Sequence, residues 1–417
     1  MGRRTVSGKQ HRDLDLVLFG ATGFTGRLVA EVLAAGRAPV RWAIAGRNRE
    51  RLQRVRADLA AIDPSLAGLP ILVADSHDRP SLDAVVKGAR VVCSTVGPYA
   101  LYGSDLVAAC AERGTDYCDL TGEAPWVRAM IDAHHERAVA TGARIVTSCG
   151  FDSIPSDLGV LLLHEHLSER GEHLAEVRFR ITKMRGGFSG GTVASMLAMA
   201  ERIGDPGVRR VLGDPYALNP AGAPRGPDHG DAAGPRKDSF TGHWSGPFVM
   251  GPFNTRVVRR SNALMGFAYG RDFRYGEAVD LGPGVAGLAR ATAMSGVMGG
   301  LLAAAAFGPS RRILARLAPK PGEGPGLAQR EAGGFVAILH GLSTSGDRVR
   351  ATVSARKDPG YGATSIYLAQ SALCLAQDDL PARGGLLTPA SCMGLHLVER
   401  LRAAGMTFQV DEDVAGR

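Results

Sequence analysis

The chain has 417 residues, of which 45% are hydrophobic and 22% charged, a balance ordinary for a soluble globular protein and a length that allows two or three domains with a sizeable core. Its formal net charge is +8, but the basic residues are scattered among acids, which argues against nucleic acid and leaves an anionic cofactor, an acidic carrier protein or a membrane surface. Six cysteines without a Cys-x-x-Cys pair, and a polar, basic segment at 1–13 without an apolar signal core, point to the reducing cytoplasm.

Residues 1–13 read as a flexible tail. Residues 15–19 form a short apolar run that reads as a buried strand, and Gly20, Gly23 and Gly26 turn it directly into an amphipathic helix that begins near Phe24. In such a turn the first glycine permits the tight bend, the second lets backbone approach a pyrophosphate, and the third lets helix lie close to sheet. The N–H groups and positive end of the helix then face phosphate. Gly20, Ala21, Thr22, Gly23, Phe24, Thr25 and Gly26 are therefore candidate dinucleotide-binding residues, with a glycine-rich turn of purely structural use as the alternative.

Leu28, Val29, Val32 and Leu33 continue the helix until Gly36 stops it, and residues 40–45 read as the second strand. At its end, where an NAD site carries Asp or Glu for the ribose hydroxyls, stands Arg47. A guanidinium suits a 2′-phosphate, so NADP(H) is the expected cofactor; a solvated arginine at a helix start is the alternative. Helix 49–61 and strand 70–74 lead to Asp75, placed either to meet adenine or to cap helix 80–88. The fourth strand, 90–96, opens into Gly97, Pro98, Tyr99 and Tyr102. A loop leaving that strand faces the nicotinamide side of the cleft, so these residues are candidates for holding the reacting ring or the substrate, against a plain turn with packed tyrosines. Helix 104–113, strand 116–120, helix 125–141 and a sixth strand at 144–148 complete a doubly wound parallel sheet.

After the polar turn 149–157 the pattern changes. Residues 158–167 are helical, and 176–183 place Val177, Phe179 and Ile181 on one face, as in a half-exposed antiparallel strand. Ser189, Gly190, Gly191 and Thr192 form a small-residue turn before a helix at 193–202, able to hold a carboxylate, phosphate or thioester carbonyl, or merely to cap the helix. Residues 204–242 read as a long surface excursion. Strand patterns follow at 248–258, 273–281, 335–343 and 348–355, then a helix at 361–377 and a helical region at 388–404. The expected architecture is α/β: a Rossmann-type doubly wound parallel sheet over 14–152, an α+β substrate domain with a mainly antiparallel sheet over 153–380, and a C-terminal region, 381–417, packing back on the first domain. Within an apolar segment at 284–308, residues 291–307 carry no charge between Arg290 and the pair Arg311 and Arg312. That stretch is slightly short for a spanning helix and reads as a buried or pocket-lining element, ahead of membrane contact.

No tyrosine has lysine four residues on, which disfavours the Tyr-x-x-x-Lys device for carbonyl reduction. The histidine clusters at 134–135 and 164–166 lack metal-ligand spacing, so no metal is expected, and Cys149 reads as a core cysteine rather than a nucleophile. Taken together, residues 19–26 (FGATGFTG), 45–47 (AGR), 95–99 (TVGPY), 116–123 (DYCDLTGE) and 149–157 (CGFDSIPSD) resemble the saccharopine dehydrogenase family. They are most similar to its actinobacterial branch of trans-acting enoyl reductases, and the likeness continues through 189–192, 252–263, 388–390 and 393–394, nearly the entire chain.

The resemblance implies an NADPH-dependent reductase working in trans with modular polyketide synthases. It would saturate an enoyl thioester held on a carrier protein, during synthesis of phthiocerol-type waxes and phenolic glycolipids. Such a reduction delivers hydride to the β-carbon and leaves an enolate that needs hydrogen-bond donors and a proton at the α-carbon. By position, Tyr99 or Tyr102 would supply these, the turn at 190–192 would hold the thioester oxygen, and the apolar stretch would suit a long acyl chain. A saccharopine-type imine or amino-acid reductase and a non-catalytic NADP(H)-binding scaffold are the competing readings. A homodimer, and peripheral contact with the inner face of the plasma membrane, are compatible with each.

Overall fold

The computed structural model describes residues 12–37, 39–186, 195, 198–231, 233–317, 324 and 326–411. Strand β1 (Leu14–Phe19) lies at the centre of a parallel sheet with β2 (Trp42–Gly46), β3 (Ile71–Val73), β4 (Ala89–Ser94), β5 (Asp116–Cys118) and β6 (Arg144–Val146). Its pleat sends Leu16 and Leu18 to one face and Val17 and Phe19 to the other, and all four are buried because helices cover both faces. On the first face lie α1 (Phe24–Ala35) and α2 (Arg49–Ile62); on the second lie α3 (Arg79–Gly88), α4 (Ser104–Arg113) and α5 (Ala124–Thr141). Asn48 starts α2 by accepting the Arg51 N–H at 2.9 Å.

Six strands were expected, and the sheet has seven. Gly385–Leu387, close to the C-terminus, pairs in parallel with β6. A three-residue strand carries too little alternation to stand out in a sequence. The second sheet runs in the order β14 (Thr407–Val410), β12 (Arg348–Ala355), β11 (Gly334–Ser343), β7 (Leu174–Arg185), β10 (Arg274–Asp280), β9 (Trp244–Gly246) and β8 (Arg236–Lys237). Only β7 and β10 are parallel neighbours; the other pairs are antiparallel. Helix α6 (Ile154–Ser168) lies on this sheet so closely that a Cβ on Gly159 would sit 2.8 Å from the Leu339 side chain.

Two further expectations need correction. The expected strand at 248–258 is instead α7 (Gly251–Leu264), which begins with Pro252 in its first turn, where proline needs no helical N–H partner. Its arginines are buried rather than solvated. Arg256 donates to the Asp214 carbonyl at 3.0 Å, Arg259 to Asp228 at 2.9 Å and to the carbonyls of Pro215 and Tyr275 at 3.1 Å, and Arg260 to the Leu386 carbonyl at 2.7 Å. Those same bonds tie the largely exposed excursion at 204–242 to α7. The apolar stretch, finally, forms α8 (Gly284–Ala306), in which only Gly287 and Ala291 are buried. It is not buried; most of it is exposed on the surface, and α9 (Gly308–Leu317) follows.

Candidate cofactor and active site

The glycine turn has the geometry its sequence implies. Gly20 has a φ of +96°, a conformation that side chains rarely adopt, and its N–H donates to the Ala45 carbonyl at 2.9 Å. Gly23 is the extended residue ahead of α1. A Cβ on Gly26 would fall 2.2 Å from the Gly20 oxygen and 2.7 Å from Thr95 Oγ1, so only glycine lets the helix lie this close to the sheet. Thr95 itself donates to the Phe19 and Gly20 carbonyls at 3.3 and 3.2 Å, fastening the end of β4 to the turn. Ala21 is fully buried and belongs to the packing, whereas Thr22, Phe24 and Thr25 are half-buried. The Phe24 ring meets the edge of Tyr361, with centroids 4.6 Å apart, and Arg330 lies 5.8 Å above it. Arg330 keeps a buried Nε without a partner among the described residues, so the second half of the chain brings a cation over the first turn of α1. Separation in sequence hid that neighbour.

At the end of β2, Arg47 is exposed, and Gly46 beside it places a virtual Cβ 3.9 Å from Thr22 Oγ1. A turn in which Gly20 and Gly26 leave no room for a side chain, with an exposed guanidinium at the end of β2, fits a dinucleotide with a 2′-phosphate. Asp75 is half-buried, and its Oδ1 accepts the His77 N–H at 3.0 Å, while the residue before α3 is Asp78. A hollow of about 660 Å³ between Leu33, Trp42, Asp63 and Pro70 lies at the amino ends of β2 and β3, away from this turn.

The turn after β4 is held by a carboxylate. Glu123, buried beyond the end of β5, accepts the Tyr99 and Ala100 N–H groups, both at 2.9 Å, and the Ser195 hydroxyl at 2.8 Å. This clamp fixes Gly97, Pro98 and Tyr99 in place and turns the tyrosine ring inward against Trp126. The Tyr99 hydroxyl donates to the Ser94 carbonyl at 3.1 Å, and burial pushes its pKa well above the usual range. The expectation that Tyr99 faces the substrate is therefore corrected: its proton is committed inside the domain. Tyr102 is half-buried and leans on His77, 5.4 Å away, toward the β3 side of the sheet. Ser189, Gly190, Gly191 and Thr192 lie outside the described residues.

Beyond β5 and β6 the acidic residues take different parts. Asp119 accepts the N–H groups of Thr121 and Ser148 and the Tyr117 hydroxyl, all at 3.0 Å, and burial raises its pKa to about 7. Asp157 accepts the Ala390 N–H at 2.8 Å and the Ser261 hydroxyl, again with a pKa raised by burial to about 7. Glu277 accepts Asn254 at 2.9 Å and the Tyr275 hydroxyl at 2.8 Å, and burial likewise raises it to about 7. These three join neighbouring segments. Cys149 is buried, with its thiol pushed well upward by burial, which leaves it protonated and inert.

Asp152 differs from all of them. It is partly exposed, and its pKa is raised to about 6 by burial alone, with no hydrogen bond holding either oxygen among the described residues. Its Oδ2 lies 4.0 Å from a virtual Cβ on Gly122, which places it between the segments leaving β5 and β6. In a sheet of this topology the crevice outside those strand ends is where the second half of a dinucleotide and its substrate meet. Reading from the sequence passed over Asp152 because nothing in the turn distinguishes it from Asp157, five positions further on.

Comparison with known proteins agrees with this geometry. Residues 16–146 match the NADP-binding domain of saccharopine dehydrogenase. The trans-acting enoyl reductase of Mycobacterium bovis BCG is 43% identical over 95% of this chain and 97% of its own length, and that of Mycobacterium leprae is 41% identical over the same shares. The solved structure of apo saccharopine dehydrogenase (L-Glu forming) from Saccharomyces cerevisiae superposes with a TM-score of 0.55 over 95% of this chain and 99% of that one; at 12% identity this likeness concerns the fold. The protein is an NADP(H)-dependent oxidoreductase. Its chain belongs to the saccharopine dehydrogenase family, within the branch of the trans-acting enoyl reductases.

Proposed function

We propose that this protein reduces the double bond of a long-chain enoyl thioester presented by a separate polyketide synthase or its carrier protein, in the synthesis of phthiocerol-type waxes and phenolic glycolipids. The observation that carries the reading is Asp152, a carboxyl group without a hydrogen-bond partner among the described residues, beyond the carboxyl ends of β5 and β6 and with its pKa raised by burial to about 6. The names of the relatives along nearly the whole chain support the reaction class.

NADPH, when bound, supplies hydride for the β-carbon. The chain supplies the rest. Gly20, Gly23 and Gly26 admit the pyrophosphate, Arg47 meets the 2′-phosphate, and Arg330 adds positive charge above the same helix end. Asp152 in its neutral form gives its proton to the α-carbon, the carboxylate then takes one from water across its exposed side, and one hydride and one proton have been added across the carbon–carbon double bond.

The test is NADPH oxidation by the purified protein with a long-chain enoyl thioester on an acyl carrier domain, alongside NADH and saccharopine-type imine controls. The expected product is the saturated thioester, identified by mass spectrometry. NADPH binding with no oxidation on any substrate would overturn the reading in favour of a cofactor-binding scaffold.

A further inference from the structure

Among the described residues, the longest helix has little protein cover along the second half of its length. Only the first half of α8 is seated, beside β9: a virtual Cβ on Gly246 would lie 3.1 Å from the Met294 sulfur, and one on Gly287 would collide with the Gly282 carbonyl. Beyond Ser295 the helix stands clear. Val297 is 64% exposed, Leu302 65% and Phe307 65%, and the first turns of α9 add an exposed Ile313. Contiguous apolar surface of this kind is not left bare to water without a use.

Charge decides what covers it. Between Asp280 and Glu323 there is no acidic residue, whereas Arg290, Arg311, Arg312, Arg316 and Lys320 lie in that interval. Arg312 and Arg316 are exposed on α9, next to the apolar end of α8, and Arg311 reaches Glu201 at 3.5 Å. Apolar residues bordered by arginines, with Glu201 engaging Arg311 and no ion pair to Arg312 or Arg316 among the described residues, complement an anionic lipid surface: the apolar end enters the acyl region and the guanidiniums remain at the phosphates. The free part, residues 296–307, rises only about 18 Å at 1.5 Å per residue, well short of a hydrocarbon core of about 30 Å. It can enter one leaflet and cannot cross.

We propose that the end of α8 and the following α9 form a monotopic anchor that docks the enzyme on an anionic bilayer, with residues 296–307 immersed in one leaflet and Arg312 and Arg316 on the headgroups. The inference does not depend on the enoyl reductase reading, since it concerns a surface distant in sequence from the glycine turn and from Asp152.

The experiment is flotation of the full-length protein with vesicles of phosphatidylglycerol and phosphatidylcholine in equal parts, and with phosphatidylcholine alone. Co-flotation is expected with the anionic vesicles, with at least a tenfold loss of binding in the Leu301→Glu/Leu302→Glu variant and a comparable loss in Arg312→Glu/Arg316→Glu. Because all four side chains lie outside the buried core, circular dichroism and NADPH binding of both variants should match the wild type. Failure of the wild type to float, or variants that float equally well, would overturn the proposal. So would sedimentation showing a lipid-free dimer that Leu301→Glu/Leu302→Glu converts to monomer, since the face would then belong to a second copy.

Discussion

A carboxyl group with a pKa near 6 is useful as an acid only while it keeps its proton, and this gives Asp152 a recognisable signature. If Asp152 protonates the α-carbon, turnover is greatest below about pH 6 and falls as pH rises through that value, because the neutral form is lost. Asp152→Asn should lower kcat by about 10²–10⁴-fold, the usual worth of a general acid, and remove that limb of the pH profile while leaving the NADPH dissociation constant unchanged. Tyr99→Phe gives the contrast. It forfeits the hydrogen bond to Ser94, costing about 1 kcal/mol of stability in a melting experiment, with kcat near that of the wild type. Position in the chain brings Tyr99 to the correct strand end. What it does not reveal is direction, which is set by the two N–H bonds to Glu123 from another turn. The position of Arg47, by contrast, was legible: it stands exposed at the end of β2, where the sequence places it, and depends on no distant residue. Arg47→Ala should raise KM for NADPH by roughly 10–100-fold, the scale of about 1.4–2.8 kcal/mol for a lost charge-assisted contact, and leave KM for NADH nearly unchanged.

Elements whose apolar period is strong and local could be read directly, and β1 with α1 is the clearest case. The prediction there is steric. Gly26→Ala places a methyl group 2.2 Å from the Gly20 oxygen, so the helix must retreat from the sheet. The expected result is a loss of about 1–3 kcal/mol of stability, as for an overpacked core, together with loss of NADPH binding, both measurable by titrating cofactor into the variant during thermal unfolding. Helix α7 was misread for the opposite reason. Val257, Val258 and the neighbouring arginines look like a strand with a solvated face, yet the arginines are buried by carbonyl groups contributed from 212–218 and from Leu386. Arg260 shows the cost, its pKa pushed down to about 9 by burial. Nothing local announces a partner of that kind. For Arg259, whose removal strands the nearly buried Asp228, Arg259→Ala should destabilise the protein by about 3–5 kcal/mol in chemical denaturation.

At the scale of the molecule the two sheets are not independent. Helix α10 (Thr364–Gln377), far along the chain, packs on the α1 face of the first sheet, and the core there runs without a break into the core under α6. Alternation of strand and helix made the two sheets legible, but connections over more than 200 positions leave no periodic trace. Buried acids in both halves make the stability of the whole depend on pH. Asp119, Asp157 and Glu277 each have a folded-state pKa raised by burial to about 7, from ordinary values of 3.8 for aspartate and 4.5 for glutamate. Between those limits the folded protein holds more protons than the unfolded chain, so their contribution is complete at low pH and lost as pH rises through about 7. His134, His135, His164 and His340 act in the opposite sense, because burial lowers their pKa values and stability is lost as they gain protons below 6.5. The two groups oppose each other in mild acid, whereas from about pH 6.5 to 8 only the carboxyls titrate, and the melting temperature should fall across that interval. Asp157→Asn isolates one of them. The amide cannot ionise, so the variant should gain on the wild type as pH rises from 5 to 8, by roughly 2–4 kcal/mol at about 1.4 kcal/mol per pKa unit. A wild type and variant whose melting curves run parallel over that range would show that Asp157 is already ionised in the fold, and that its bonds to Ser261 and Ala390 outweigh its burial.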